Sequence, residues 1–98
     1  MKDQILKKAA QIIETRGWVQ GHYSIPNKKN PALPGPVCLS RAINEATTEL
    51  GASDGERYAA RDAVSEITGS GYCLAGWNDR GKTTKQDVIR VLLEAAAT

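Results

Sequence analysis

Ile5, Leu6, Ala9, Ala10, Ile12, Ile13 and Arg16 recur at three- and four-residue spacing, with Lys7, Lys8, Gln11, Glu14 and Thr15 between them. A period of about 3.6 residues gathers the apolar positions on one face of a helix. Gly17, directly after Arg16, is the expected stop, because glycine takes a left-handed cap without a side-chain penalty. Leu39, Ala42, Ile43, Ala46 and Leu50 make a second stripe that Gly51 ends, and Pro36 suits its first turn, where a missing N–H costs nothing. Ser53 and Glu56 have capping-box spacing and open a third helix, with Ala60, Ala63, Val64 and Ile67 inward, up to Gly69-Ser70-Gly71. A last helix begins near Thr83 or Thr84. Thr83 with Gln86 fits a second capping box, and Val88, Ile89, Leu92, Leu93, Ala95 and Ala96 form the stripe.

Between the first two helices, Val19, Tyr23 and Ile25 stand at odd positions of an extended-looking stretch. A two-stranded ribbon pairing Trp18–Ile25 with Gly71–Trp77 is therefore an open alternative to plain loops. Residues 26–36 hold all four prolines of the chain together with Asn27, Lys28, Lys29, Asn30 and Gly35. Proline removes a backbone donor and biases its predecessor away from the helix, so this is a semi-stiff surface loop, read as a variable insertion. The expected fold is mainly α: one compact domain over residues 1–98, four helices, with the ribbon as an option.

Composition adds limits. A 41% hydrophobic fraction with 24% charged residues is that of a folding globular chain. A formal charge of +2 is too even to imply nucleic acid or membrane by itself. The charges are unevenly placed, however. Residues 1–41 carry seven Lys/Arg against Asp3 and Glu14, whereas 42–75 carry Glu45, Glu49, Asp54, Glu56, Asp62 and Glu66 against Arg57 and Arg61. No run approaches the roughly 20 apolar residues of a membrane helix. The start, Met1 to Lys8, is amphipathic rather than a secretory apolar run, so Cys38 and Cys73 are expected as reduced thiols in a cytoplasm.

Four chemistries are tested by the residues. Gly76-Trp77-Asn78-Asp79-Arg80-Gly81-Lys82-Thr83 satisfies the phosphate-loop spacing and precedes a helix. A phosphate loop needs a parallel sheet and a later strand to deliver an aspartate to magnesium, and only one helix follows here. The alternative is structural: Asn78 and Asp79 form a turn, the Thr83 hydroxyl caps a helix, and Trp77 anchors a core or an interface. Cys38 in the first turn of a helix, with His22 and Asp79 or Asn78, has the residue types of a thiol nucleophile set. A small buried cysteine is the simpler reading. Cys38, Cys73 and His22 lack zinc-site spacing, and no cofactor is implied. Lys2, Lys7, Lys8, Lys28 and Lys29, with Trp18 and Tyr23 nearby, are the material for a nucleic-acid patch, too few against the roughly six to ten phosphate contacts of specific binders.

Gly17-Trp18-Val19-Gln20-Gly21, Cys38 opening an alanine-containing helix, and Trp77-Asn78-Asp79 followed by Thr83 and an apolar helix together resemble a small domain-of-unknown-function family of actinobacteria and their phages. The resemblance covers most of the chain; the Pro-rich loop stands outside it, and Arg41 with Asn44 departs from the glycine-alanine helix of the family. It implies a phage or actinobacterial cytoplasmic protein and transfers no activity. It also implies that Trp18, Gln20, Cys38, Trp77, Asn78 and Asp79 meet, as a hydrogen-bonded clasp or as a binding pocket. Buried amides and carboxylates must find partners, which favours the clasp. The function expected is that of a small non-enzymatic interaction protein, monomer or homodimer, binding a host or phage protein through Trp18, Gln20, His22, Cys38, Trp77, Asn78 and Asp79. Nucleic-acid binding and an enzyme using Cys38 are the alternatives.

Overall fold

Helix α1 (Lys2–Arg16) is the element on which the others pack, and it buries Ile5, Leu6, Ala9, Ala10, Ile12 and Ile13. A computed structural model describes residues 1–71 and 73–98. In it, α1 lies against α5 (Lys85–Ala97), α2 (Leu39–Glu49) and α3 (Asp54–Thr68), and a short α4 (Leu74–Asn78) closes on α2 and α3. The chain is thus a mainly α single domain. Among the described residues it has one helix more than the hydrophobic stripes announce, because five residues are too few to show a period. Buried alanines at Ala9, Ala42, Ala46, Ala60, Ala95 and Ala96 keep the side chains between the helices small.

Most stripes hold and some shift by a residue. Ser53 and Glu56 form the expected capping box of α3. The box of α5 is Thr84 with Asp87 rather than Thr83 with Gln86, and the Thr83 hydroxyl donates instead to the Trp77 carbonyl at 2.8 Å. Within α5, Val91 is buried and Leu93 is exposed. Helix α2 starts at Leu39 with Cys38 as its N-cap, so Pro36 lies outside it. Gly17 does end α1, its N–H donating to the Ile13 carbonyl at 2.9 Å. Its φ of 98° and ψ of 172° are not the left-handed cap but an extended backbone of positive φ, a region open essentially to glycine alone.

That turn delivers the Gly17 carbonyl to Val37 N at 3.2 Å, and Val37 O then accepts from Val19 N at 3.1 Å. Farther along, Ile25 N donates to Pro36 O at 3.2 Å and Cys38 N to Tyr23 O at 3.1 Å. Val37, fully buried, is therefore bridged on one side by Trp18 and on the other by Ser24. The expected ribbon with Gly71–Trp77 does not form: Leu74–Asn78 is helical, and the 18–25 stretch spends its backbone groups on residues 36–38. Tyr72 of that ribbon lies outside the described residues.

The Pro-rich segment is a surface loop, but a stapled one. Asn27 Oδ1 accepts from Lys29 N and Asn30 N at 3.0 and 3.1 Å, and Asn30 Oδ1 accepts from Ala32 N at 3.1 Å. Leu33 N closes a turn on Asn30 O at 2.9 Å, and Asn27 Nδ2 crosses to Pro34 O at 3.4 Å. Arg16 Nε fastens the base by donating to Gly35 O at 3.0 Å. Close approach of the two ends makes this an Ω-type loop.

The approach depends on Gly35, where a Cβ would collide with the Ile25 carbonyl and lie 2.7 Å from Asn27 N. Backbone cannot yield as a flexible side chain does, so Gly35→Ala should destabilise the domain by about 2–3 kcal/mol in urea unfolding. Gly55→Ala is the control: its Cβ would meet only Ser53 Oγ, at 3.8 Å, and the substitution should be neutral or stabilise by up to about 1 kcal/mol.

Candidate functional site

Asn78, the last residue of α4, is a fully buried amide with all four of its hydrogen-bonding positions used. Its Oδ1 accepts from Trp18 Nε1 at 2.6 Å and from Leu39 N at 3.0 Å. Its Nδ2 donates to Val19 O at 3.0 Å and to Asp79 Oδ1 at 2.9 Å. Three segments distant in sequence are therefore joined through one side chain: the turn after α1, the start of α2 and the end of α4. Leu39 N is one of the first-turn amides of α2 that the helix itself leaves unpaired, so Asn78 meets a need that secondary structure creates.

Gln20 and Asp79 extend the clasp. Gln20 Nε2 approaches the carbonyls of Arg80 at 2.8 Å, Asn78 at 3.1 Å and Thr83 at 3.4 Å. An amide NH₂ has two hydrogens, so the two shorter contacts are the main ones. Asp79 Oδ1 accepts from Gly21 N at 2.8 Å, which Gly21 presents from a φ of 77°. The Gly21 N–H holds the Asp79 carboxyl below its ordinary pKa; Asn78 adds to this and the nearby His22 charge slightly more, against a small opposing effect of burial.

The residues expected to converge do so in part. Trp18, Gln20, Asn78 and Asp79 are bonded into one network. Trp77 belongs to the packing, half-buried against the core, and offers its carbonyl to Thr83. Cys38 joins through its backbone position; at 5% exposure it is the N-cap of α2, and its Sγ accepts from Arg41 N at 3.4 Å. His22 is exposed and outside the network.

The same geometry disposes of the phosphate-loop spacing. In residues 76–83 carbonyls, not amides, converge on one point, and they converge on an amide donor, Gln20. The amides of Asp79, Arg80 and Thr83 are bonded within the segment, and Gly76 to Asn78 are helical. A phosphate requires the opposite polarity. Among the described residues no group of three or more His, Cys, Asp or Glu is placed to hold a metal, and no helix is long and apolar enough to cross a membrane.

Beside the clasp stands a ridge in which Tyr23, a site candidate in sequence only as a neighbour of the lysine patch, meets Arg41 and Asn44. Tyr23 is 47% exposed, yet its hydroxyl accepts from Asn44 Nδ2 at 2.7 Å and the Arg41 guanidinium lies 4.8 Å from its ring centroid. Arg41 is itself bonded to Glu45 at 3.1 Å, Glu45 also pairs with Arg16, and Arg57 donates to Asn44 at 3.3 Å. On one flank of Tyr23 is a depression of about 330 Å³ that includes Arg41, Asn44, Glu45 and Thr48. On the other is one of about 250 Å³ that includes His22, Cys38, Ser40 and Asp79. An aromatic residue two positions after Gly21, with Arg41 and Asn44 one helical turn apart, was the available signal.

Two outcomes follow from the clasp. Asn78→Ala should cost about 3 kcal/mol or more in urea unfolding, because buried donors and acceptors lose their partners, and the isosteric Asn78→Asp should do no better, since it aims a carboxylate at Val19 O and Asp79. Asp79, with its depressed folded pKa, contributes stability that is present above its unfolded value of about 4 and is lost as pH falls through the lower folded value. Stability followed from pH 6 downward should therefore fall less steeply in Asp79→Asn than in the unaltered protein.

No curated protein and no solved structure matches the chain. A family model does, over residues 2–98, so the match also spans the Pro-rich loop, which the resemblance read from the short motifs had set aside. On that match, which covers nearly the whole chain, the chain belongs to the family of unknown function designated DUF6197.

Proposed function

We propose that the protein is a small protein-interaction module that binds through the face centred on Tyr23, acting in the cytoplasm of an actinobacterium or of a phage-infected host on a host or phage protein. The observation that carries this reading is an exposed tyrosine already immobilised by Asn44 and Arg41 between two depressions. Tyrosine and arginine are the side chains most used as interface anchors, and an anchor fixed before binding loses little freedom on docking. The tryptophans expected to anchor a partner are committed inward: Trp18 to Asn78, Trp77 to the core. The recognition role thus moves from Trp18 and Trp77 to Tyr23 and Arg41, with His22 and Asp79 at the edge. Positive charge is less available for nucleic acid than the lysine count implies, since Lys2 faces Asp3 and Lys8 faces Glu49.

A second reading rests on Cys38, His22 and Asp79 lining one depression, with Cys38 at the positive end of an 11-residue helix. Those are the groups of a thiol nucleophile, its base and an orienting carboxylate. Exposed Cys73 is an internal control. A Cys38 that is alkylated below pH 7 faster than Cys73, and slowed by His22→Gln, supports this chemistry; a Cys38 that reacts only on unfolding excludes it.

The main reading is tested by affinity capture from an actinobacterial lysate, with and without nuclease, comparing the unaltered protein with Tyr23→Ala checked for folding by circular dichroism. A discrete protein that survives nuclease and is retained about tenfold less by Tyr23→Ala is the expected result. Equal retention by the variant removes Tyr23 from the interface, and capture that vanishes with nuclease moves the partner to nucleic acid.

A further inference from the structure

The Pro26–Pro36 loop spends its hydrogen bonds on its own shape and covers nothing with its tip. Leu33 is 55% exposed there, held by the Asn30–Leu33 turn, with Pro31, Ala32 and Pro34 exposed beside it. Lys28 and Lys29 directly precede the turn on one side, and among the described residues neither is in an ion pair. A stapled loop that carries an apolar tip and two unpaired cations is built for presentation, since its ordering cost is already met in the free protein.

The domain also carries the complementary surface. Between α3 and α4 is a hollow of about 240 Å³ lined by Tyr58, Arg61, Asp62, Ser65, Gly71 and Leu74, and Tyr58 is 58% exposed. A second depression continues past Asp62 and Ser65 to Glu66. Asp62 and Glu66 share with Glu14 and Asp79 the lack of a cationic partner among the described residues, and of these four they alone line this hollow and its continuation. Glu45, Glu49, Asp54 and Glu56 all have cationic partners, whereas Asp62 and Glu66, one helical turn apart, have none among the described residues. A hollow with two exposed carboxylates that lack a cationic partner at its edge is the counterpart of an exposed leucine that follows two lysines.

We propose that the Pro26–Pro36 loop of one molecule docks on the α3–α4 hollow of a second copy, Leu33 entering the hollow while Lys28 and Lys29 meet Asp62 and Glu66. Loop and hollow share no residue, so the contact is heterologous and each molecule can offer its loop onward or return it to the same partner. A loop tip buries less than the roughly 1,200 Å² of a standard interface, and Arg61 on the hollow wall opposes the lysines, so the association is weak, salt-sensitive and concentration-dependent.

Sedimentation velocity of the purified chain from about 0.01 to about 1 mM tests it. Weight-average mass should rise with concentration at low salt and fall back at high salt. Leu33→Asp, at an exposed tip where circular dichroism should show an unchanged fold, should weaken association about tenfold or more. The charge-reversed pairs Lys28→Glu/Lys29→Glu and Asp62→Lys/Glu66→Lys should each stay monomeric alone and associate when mixed, because each supplies what the other lacks. A monomeric mass across the whole range, association indifferent to Leu33→Asp, or a charge-reversed mixture that stays monomeric overturns the proposal. Its failure leaves the Tyr23 face untouched, since none of these residues lines either depression beside Tyr23.

Discussion

A single buried amide, Asn78, is the constraint around which the turn after α1, the start of α2 and the end of α4 are arranged. Burying such a group without partners costs several kcal/mol, and here each of its two donors and two acceptor positions is met by a different group. The requirement runs both ways. Asn78 is satisfied only if the turn after α1, the start of α2 and the end of α4 are in place together, and Trp18 Nε1, Leu39 N and Val19 O in turn find their partner in it. Packing of alanine-rich helices leaves considerable freedom in how they are connected, and a fully satisfied polar hub removes it.

Polar residues elsewhere divide into those that close the fold and those left at its surface. Gln20 and Asp79 reinforce the hub, one gathering carbonyls and the other an amide. Asn27 and Asn30 do for the Pro-rich loop what hydrophobic contacts do for the helices, shaping a segment that has no core of its own. Tyr23, Arg41, Asn44, Glu45 and Arg57 form a third set, in which half-buried neighbours hold an exposed Tyr23 ring. Order at an exposed position does little for core stability, and this separates the Tyr23 ridge from the clasp beneath it.

The helices were legible because burial imposes a period. Ile5 to Ile13, Leu39 to Ala46 and Ala60 to Val64 follow the helical repeat, and glycine or a capping box marks most ends. Errors fall where the signal is one residue wide. Thr83 and Thr84 are chemically the same cap, and only the reach of Asp87 chooses between them. Pro36 is compatible with a helix start, but Val37 is taken by bridges to Trp18 and Ser24. Helix α4 has a single turn and hence no period, and the ribbon expected there was inferred from the alternate spacing of Val19, Tyr23 and Ile25, a stretch that bridges to Val37 instead.

By itself, then, the chain's order of residues determined a mainly α domain, the faces that its longer helices bury and a Trp-Asn-Asp segment whose polar groups had to be met, since these follow from local periodicity and from the cost of an unpaired buried amide. Tertiary structure alone decided which groups meet: that Asn78 is shared by three segments, that Cys38 and His22 border one depression, and that Tyr23 stands between two. Such pairings link positions some 60 residues apart, Trp18 with Asn78 among them, and no local pattern encodes a distance of that kind. They are set when the helices pack, by whichever arrangement leaves no buried donor or acceptor alone.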